Sequence, residues 1–336
     1  MKIGLSVGFI TSANPNPVQM AVAAENLGYD SVWVAEAWGS DAVSVLAWIG
    51  AKTERIRLGT GILQIPSRSP ALTAMTAATI DRLSKGRLLL GLGVSGPQVI
   101  EGWHGVDYGT PLLRTREAIA IIRQVLAHKN PLTYKGNVYR IPIENKTNLG
   151  KPLKLMLSPT RKEIPIYVAA IAPKNVALAR EIANGWLPLF YSPHHQNIFK
   201  EALATPGHTD EFDIAPSVQI SMGQDLEACR NAVKPNLALY IGGMGAKDKN
   251  FYNALAHRYG YGSEATLIQE LYLNGKKNEA IAAVPDSLVD DVALCGTRER
   301  IIERLQAWKD SGVSTLICML KDQATLEAMP DIVAQV

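Results

Sequence analysis

Eight short apolar stretches, each followed by a segment whose apolar residues recur at helical spacing, run the length of this chain. The strand patterns are 2–9, 31–34, 56–58, 86–90, 164–169, 185–189, 214–220 and 314–319. Helical patterns follow them at 18–27, 41–52, 70–83, 111–127, 173–184, 194–204, 226–241 and 323–333, with Asp41 placed to cap the second. Parallel neighbours in a sheet need a crossover connection, usually a helix, so the alternation predicts a parallel sheet. Eight repeats in 336 residues favour a closed (β/α)8 barrel, a single domain over 1–336, rather than an open doubly wound sheet. Leu88, Leu89 and Leu90 are apolar throughout, as a strand covered on both faces requires.

Two stretches break the repeat, one after strand 4 and one before strand 8. Residues 128–163 lack helical spacing, and TYKGNVYRI within them reads as a short hairpin. This stretch holds six Lys and two Arg against Glu144 and Glu163, a balance of +6, while the whole chain is +3. Residues 242–296 hold helical pieces near 264–274 and 277–283 and read as an excursion, not a separate domain. Both are expected over the mouth of the barrel, where insertions into this fold carry substrate contacts. There the basic stretch would attract an anionic tail, or else form a solvated surface.

The small net charge calls for neither nucleic acid nor a membrane partner, and no apolar run reaches the roughly 18 residues of a membrane span. No signal peptide is visible: MKIGLSVGF opens as a strand, and Asn14 to Pro17 breaks it. Cys229, Cys295 and Cys318 lie far apart without ligand spacing, which suits reduced, buried thiols of a cytoplasmic protein. His194-His195 lacks a third ligand at metal spacing, so no metal site is expected.

Three strand patterns end in small residues: IRLGTGILQI (56–65), RLLLGLGVSG (87–96) and IYVAAIA (166–172). Glycine bends the backbone where a side chain would obstruct it. Strand ends stripped of side chains suit a flat cofactor lying against main chain. Gly91-Leu-Gly93-Val-Ser-Gly96 formally matches the dinucleotide fingerprint. However, Pro97 follows it, and no acidic residue ends a second strand about 20 residues on. No G-x-S-x-G elbow and no activated cysteine supports nucleophilic catalysis. Glu36, in VAEAW after strand 2, reads equally as a carboxylate handling a proton beside a Trp38 wall or as a salt-bridged loop residue. His104 clusters with Glu101, Trp103 and Tyr108 behind strand 4 and could act as an acid, although a lone loop histidine is more often merely exposed.

DSVWVAEAW, ERIRLGTGI, DRLSKGRLLLGLGVSGPQVIEGW, PIYVAAIAPKNVALAREIANGWLP and GTRERIIERLQAWKDSGVSTL together resemble the bacterial luciferase-like monooxygenase superfamily, in particular its coenzyme F420-dependent branch. The resemblance covers nearly the whole chain. It implies a (β/α)8 barrel with insertions, usually a homodimer, holding a deazaflavin at the carboxyl ends of the strands for hydride transfer with a small organic substrate. It implies a cis peptide at Gly61-Ile62 behind the ring, with Glu36 and Gln64 beside it and His104 as a proton donor. Ser95, Gly96 and Pro97 would contact the ribityl chain and ring edge. Ala170, Ile171 and Ala172, with Lys174 at the following helix start, would receive the phosphate. Ala37 stands where characterised reductases often carry histidine, and Ile171 where glycine is frequent. FMN-dependent monooxygenases share the fold and form the alternative. A non-catalytic flavin or deazaflavin carrier, suggested by Ala37, is the third reading.

Overall fold

The computed structural model of the chain describes residues 1–10, 16–144, 147, 149–247 and 249–336. Asn14 and Pro15 of the expected break, and Lys146 of the basic stretch, lie outside the described residues. The strands that build the sheet are β1 (Lys2–Gly8), β2 (Ser31–Val34), β3 (Arg57–Thr60), β4 (Leu88–Gly93), β5 (Ile166–Ala169), β6 (Gly185–Leu187), β7 (Ser217–Met222) and β8 (Thr315–Met319). All pair in parallel: Gly4 with Ser31, Ser31 with Arg57, Leu58 with Leu88, Leu90 with Ile166, Tyr167 with Gly185, Ser217 with Ile317, and Lys2 with Thr315. The sheet is curled. Its main-chain bonds continue from β6 to the segment leading into β7, where Ala215 N donates to Trp186 O at 2.9 Å and Ser217 N to Pro188 O at 3.1 Å.

Side chains alternate across this curl with the period of a strand. Leu88 and Leu90 point outward into the large core between sheet and helices, together with Leu46 and Ile49 of the Ala42–Lys52 helix and Ile119 and Ile122 of the Pro111–Ala127 helix. Leu89 points inward, to a second cluster with Trp33, Tyr167, Leu187, Ala215 and Ile317. Trp33 meets Tyr167 edge to face with centroids 5.3 Å apart. Gly59 makes room for that indole, because a Cβ there would lie 2.3 Å from the Trp33 ring.

The glycines expected in turns beyond the strands sit inside them. β3 runs to Thr60 and β4 to Gly93. The reason is packing. Gly91 N donates to Thr60 Oγ1 at 2.8 Å, Thr60 Oγ1 donates to Gly91 O at 2.7 Å, and a Cβ at position 91 would fall 1.8 Å from Thr60 O. The helices 70–83 and 111–127 have the expected bounds, each with proline in its first turn. Asp41 caps the Ala42–Lys52 helix, its side chain accepting from Ser44 N at 2.7 Å. The continuous helix expected over 226–241 is instead Leu226–Asn231, Lys234–Ala238 and a π-turn over Leu239–Gly243, with Pro235 starting the second piece.

Within residues 128–163, Tyr134–Lys135 pairs antiparallel with Arg140–Ile141, as the hairpin reading requires. The stretch does not cover the mouth, which corrects the sequence expectation. Buried Glu117, on the Pro111–Ala127 helix, accepts from the main-chain N–H groups of Asn137, Val138 and Tyr139 at 2.8, 3.0 and 2.9 Å. Arg161 pairs with Asp81 at 2.7 Å and donates to the carbonyl of Leu88, the first residue of β4. These anchors tie the basic stretch to the flank and to the end of the sheet where strands begin. The later excursion contains four helices (Phe251–Arg258, Gly262–Leu273, Lys277–Ala282 and Asp286–Val292) and a strand, Ala293–Gly296, that the sequence reading missed. That strand pairs with the far half of β7, Gln219 to Met222. All three cysteines are free and buried.

Gly91→Ala is expected to destabilise the fold by about 1–3 kcal/mol or more, because backbone and not a flexible side chain occupies the space. Urea unfolding reads this. A variant with an unchanged midpoint would mean that β3 and β4 separate more easily than their hydrogen bonds indicate.

Candidate active site

A cavity of about 990 Å³ opens at the carboxyl ends of the strands. Its floor is main chain. Gly61 follows β3, and its peptide bond to Ile62 is cis, as the resemblance implied. Gly61 N donates to Val34 O at 2.7 Å, which fixes the approach to this bond. Gly93 lies alongside, and a Cβ on it would come within 3.0 Å of Ile62 Cδ1, so the neighbouring strand end must stay bare. Ser95, Gly96, Ala170, Ile171 and Ala172 continue the lining.

Ser95 has a left-handed backbone, φ 58°, and three groups hold it there. Tyr108 donates its hydroxyl to Ser95 O at 3.2 Å. Gln64 Nε2 donates to Ser95 Oγ at 2.9 Å, and Gln64 Oε1 lies 2.7 Å from His104 Nε2, which is therefore the protonated nitrogen. Gln64 is fully buried, and neither it nor His104 lines the cavity. Gln64 and His104 stand one layer back from the cavity lining, where their hydrogen bonds support Ser95. Pro97 opens the short Pro97–Gly102 helix behind Gly96, and exposed Lys174 lies beside the cavity without lining it, while Asn175 does line it.

Glu36 lines the cavity with its carboxylate committed on the protein side. It accepts from Ala42 N at 3.1 Å and pairs with Arg68 at 2.9 Å. Arg68 bridges it to Asp41, also at 2.9 Å. Of the two readings of Glu36 left open by the sequence, the salt-bridged one is seen here, in a residue that also lines the cavity. Burial pushes the Glu36 carboxyl above its ordinary value, against the pull of Ala42 N–H and Arg68. Asp41 goes the other way: burial opposes ionisation, but hydrogen bonds from Ser44 and Arg68 hold it down to about 2. Arg68 escaped the sequence reading, because a lone arginine in the SRSP loop after strand 3 carries no signal of its partner. Tyr240 and Tyr252, which also line the cavity, were missed because they arise far from any strand end.

The sequence profile of the luciferase-like monooxygenases matches residues 11–315. The chain belongs to this family. A Mycobacterium tuberculosis protein provisionally named a coenzyme F420-dependent oxidoreductase is 45% identical over 327 residues, covering 94% of each chain. The 5,10-methylenetetrahydromethanopterin reductase of Archaeoglobus fulgidus is 30% identical over 306 residues, 88% of this chain and 86% of that one. The structure of the coenzyme F420-dependent tetrahydromethanopterin reductase from Methanopyrus kandleri superimposes with a TM-score of 0.77 at 21% identity, over 99% and 98% of the two chains. The last match is one of fold. Within the luciferase-like family, then, this member combines a bare strand-end floor with a carboxylate locked to an arginine.

Gln64→Leu should cost about 1–2 kcal/mol of stability by removing the hydrogen bonds of this buried amide to the half-buried Ser95 and His104 side chains. A denaturation curve matching that of the unaltered protein would show that these hydrogen bonds do not hold the loop.

Proposed function

We propose that the chain is a coenzyme F420-dependent oxidoreductase that exchanges hydride with a small organic substrate. The observation that carries this is the surface at the strand ends where Gly61, Gly93 and Gly96, all without side chains, line a cavity of about 990 Å³. A planar tricycle needs such a surface, and the volume suits a cofactor and substrate together. The 45% identical relative supports the same choice of cofactor. When bound, the deazaflavin supplies or accepts the hydride. Gly61, Ile62 and Gly93 would back its ring. Ser95 and Gly96 would meet its edge and ribityl chain, with Gln64 and His104 holding Ser95 in place. Ala170, Ile171 and Ala172, ahead of the Pro173–Ile182 helix, would offer main chain to the phosphate, with Lys174 exposed beside it.

Glu36 would hold the proton that accompanies the hydride. Its burial favours the protonated form, and Arg68 keeps it oriented toward the cavity edge. The curled sheet reads as a (β/α)8 barrel with the 128–163 and 242–296 stretches inserted. Exposed Trp48 and Met75, on neighbouring helices of the flank, support pairing with a second copy, and light scattering that gives a monomer mass would remove this part. Three buried free thiols fit a reducing, cytoplasmic setting.

Titration with the deazaflavin should quench its fluorescence to saturation, and FMN should compete weakly or not at all. Tight binding of FMN alone would favour the monooxygenase alternative. Glu36→Gln should leave cofactor binding intact and lower turnover about 10²-fold or more. The sign of its pH effect follows from the raised value. The protonated form favours folding, so the stability contributed by Glu36 is full below its unfolded value of about 4.5 and is lost as pH rises through its folded one. The stability of the parent minus that of Glu36→Gln should therefore fall across this window. A flat difference would mean that the carboxyl is not shifted.

A further inference from the structure

The wall facing the glycine floor is of another kind. It is built from Leu239, Tyr240, Met244, Phe251 and Tyr252, at and beyond the π-turn that ends the helices after β7. Tyr240 and Tyr252 meet edge to face with centroids 4.7 Å apart, and each packs edge to face on Phe190, at 5.3 and 5.8 Å. These three contacts fix the rings. Asn250 anchors the turn from behind, donating to the carbonyls of Tyr240 and Ile241 at 2.9 Å each and capping the Phe251–Arg258 helix.

The hydroxyls of this wall differ from those of three tyrosines nearby. Tyr108 donates to Ser95 O, Tyr259 to Phe190 O and Tyr261 to Asp291. Among the described residues, neither the Tyr240 nor the Tyr252 hydroxyl has a hydrogen-bond partner. Burial raises both phenols above their ordinary value, so both stay protonated and able to donate. Buried phenols ordinarily find a partner within the protein, so two open ones on a cavity wall are groups for a ligand to meet.

Charge narrows the ligand. Among the described residues Glu36 is the only charged side chain lining the cavity, and it is already paired with Arg68. No lysine or arginine among them lines it. A phosphate or carboxylate placed against these rings would lose its hydration without gaining a counter-ion. A cationic substrate would find the one carboxylate already taken.

We infer that the substrate is uncharged and largely apolar, a ketone, enone or ester whose oxygen accepts a hydrogen bond from Tyr240 or Tyr252. This rests on the oxidoreductase reading for the assignment of the floor to the cofactor. The anionic tail of that cofactor would stay at the water edge near Lys174, away from the aromatic wall.

Three probes that share a phenethyl group test this on the purified, deazaflavin-loaded protein: 4-phenylbutan-2-one, 3-phenylpropanoate and trimethyl(2-phenylethyl)ammonium. Saturation-transfer NMR should show saturable binding of the ketone, with the anion and the cation each about 10-fold weaker or worse. The double variant Tyr240→Phe/Tyr252→Phe should weaken the ketone about 5- to 10-fold, the loss of a hydrogen bond, and should melt at the temperature of the parent. If that variant unfolds, Met244→Lys at the half-buried rim serves instead, and should bring the carboxylate up to or beyond the ketone. Equal or tighter binding of anion or cation by the parent, or a ketone indifferent to loss of both hydroxyls, would overturn the inference. Repeating the series without deazaflavin separates the two claims. If the deazaflavin fails to bind but the ketone preference persists, the cofactor assignment falls and the wall's specificity stands. If the deazaflavin binds and the preference is absent, the reverse holds.

Discussion

The contact between Thr60 and Gly91 sets the geometry on which the site depends. One hydroxyl satisfies both the N–H and the carbonyl of a glycine in the neighbouring strand, while the Thr60 carbonyl occupies the space a Cβ would need. This brings the ends of β3 and β4 closer than any side chain would permit. Gly61 and Gly93 then emerge side by side without side chains, and the Ile62 side chain lies against Gly93. Gly59 plays the matching part lower down, where its missing Cβ admits the Trp33 indole that fills the middle of the curl against Tyr167. Floor and core are consequences of the same few absent side chains.

Around that floor the polar groups fall into two chains that do not touch the same part of the cavity. One runs from His104 through Gln64 to Ser95 and holds a left-handed loop. The other runs from Asp41 through Arg68 to Glu36 and ties a loop carboxylate to the cap of the Ala42–Lys52 helix. Two carboxylates share one guanidinium but are shifted in opposite directions. Asp41 is half-exposed and multiply hydrogen-bonded, and Glu36 is more deeply desolvated. A positively charged residue between unlike carboxyls can in this way keep one ionised and leave the other able to change protonation.

Much of this was legible in the sequence, for physical reasons that differ from place to place. The Pro70–Leu83 and Pro111–Ala127 helices were read to their ends because proline fixes where each begins. The strand ends were read short, since glycine in a sequence signals a turn and only the approach of Thr60 reveals why Gly91 belongs inside a strand. Glu36, Gly61, Ser95 and the 170–172 run were found because they sit at strand ends, where position alone predicts the cavity. Arg68 and the tyrosine pair were not, because their roles depend on contacts across tens of residues. His104 and Gln64 were singled out, but the hydrogen bonds that join them to each other and to Ser95 span 40 and 31 positions and leave no trace in the sequence. The basic 128–163 stretch misled for a related reason: composition records charge but not which end of a barrel carries it, and Glu117 and Arg161 decide that.

The excursion packs on the loop after β6, through Tyr259 on Phe190 and His195 on Asp291, and lies apart from the Thr60–Gly91 contact. None of Tyr240, Met244 and Tyr252 takes part in the hydrogen bonds of the Thr60–Gly91 junction. The wall can therefore be re-cut in the laboratory with the sheet junction left as a fixed foundation.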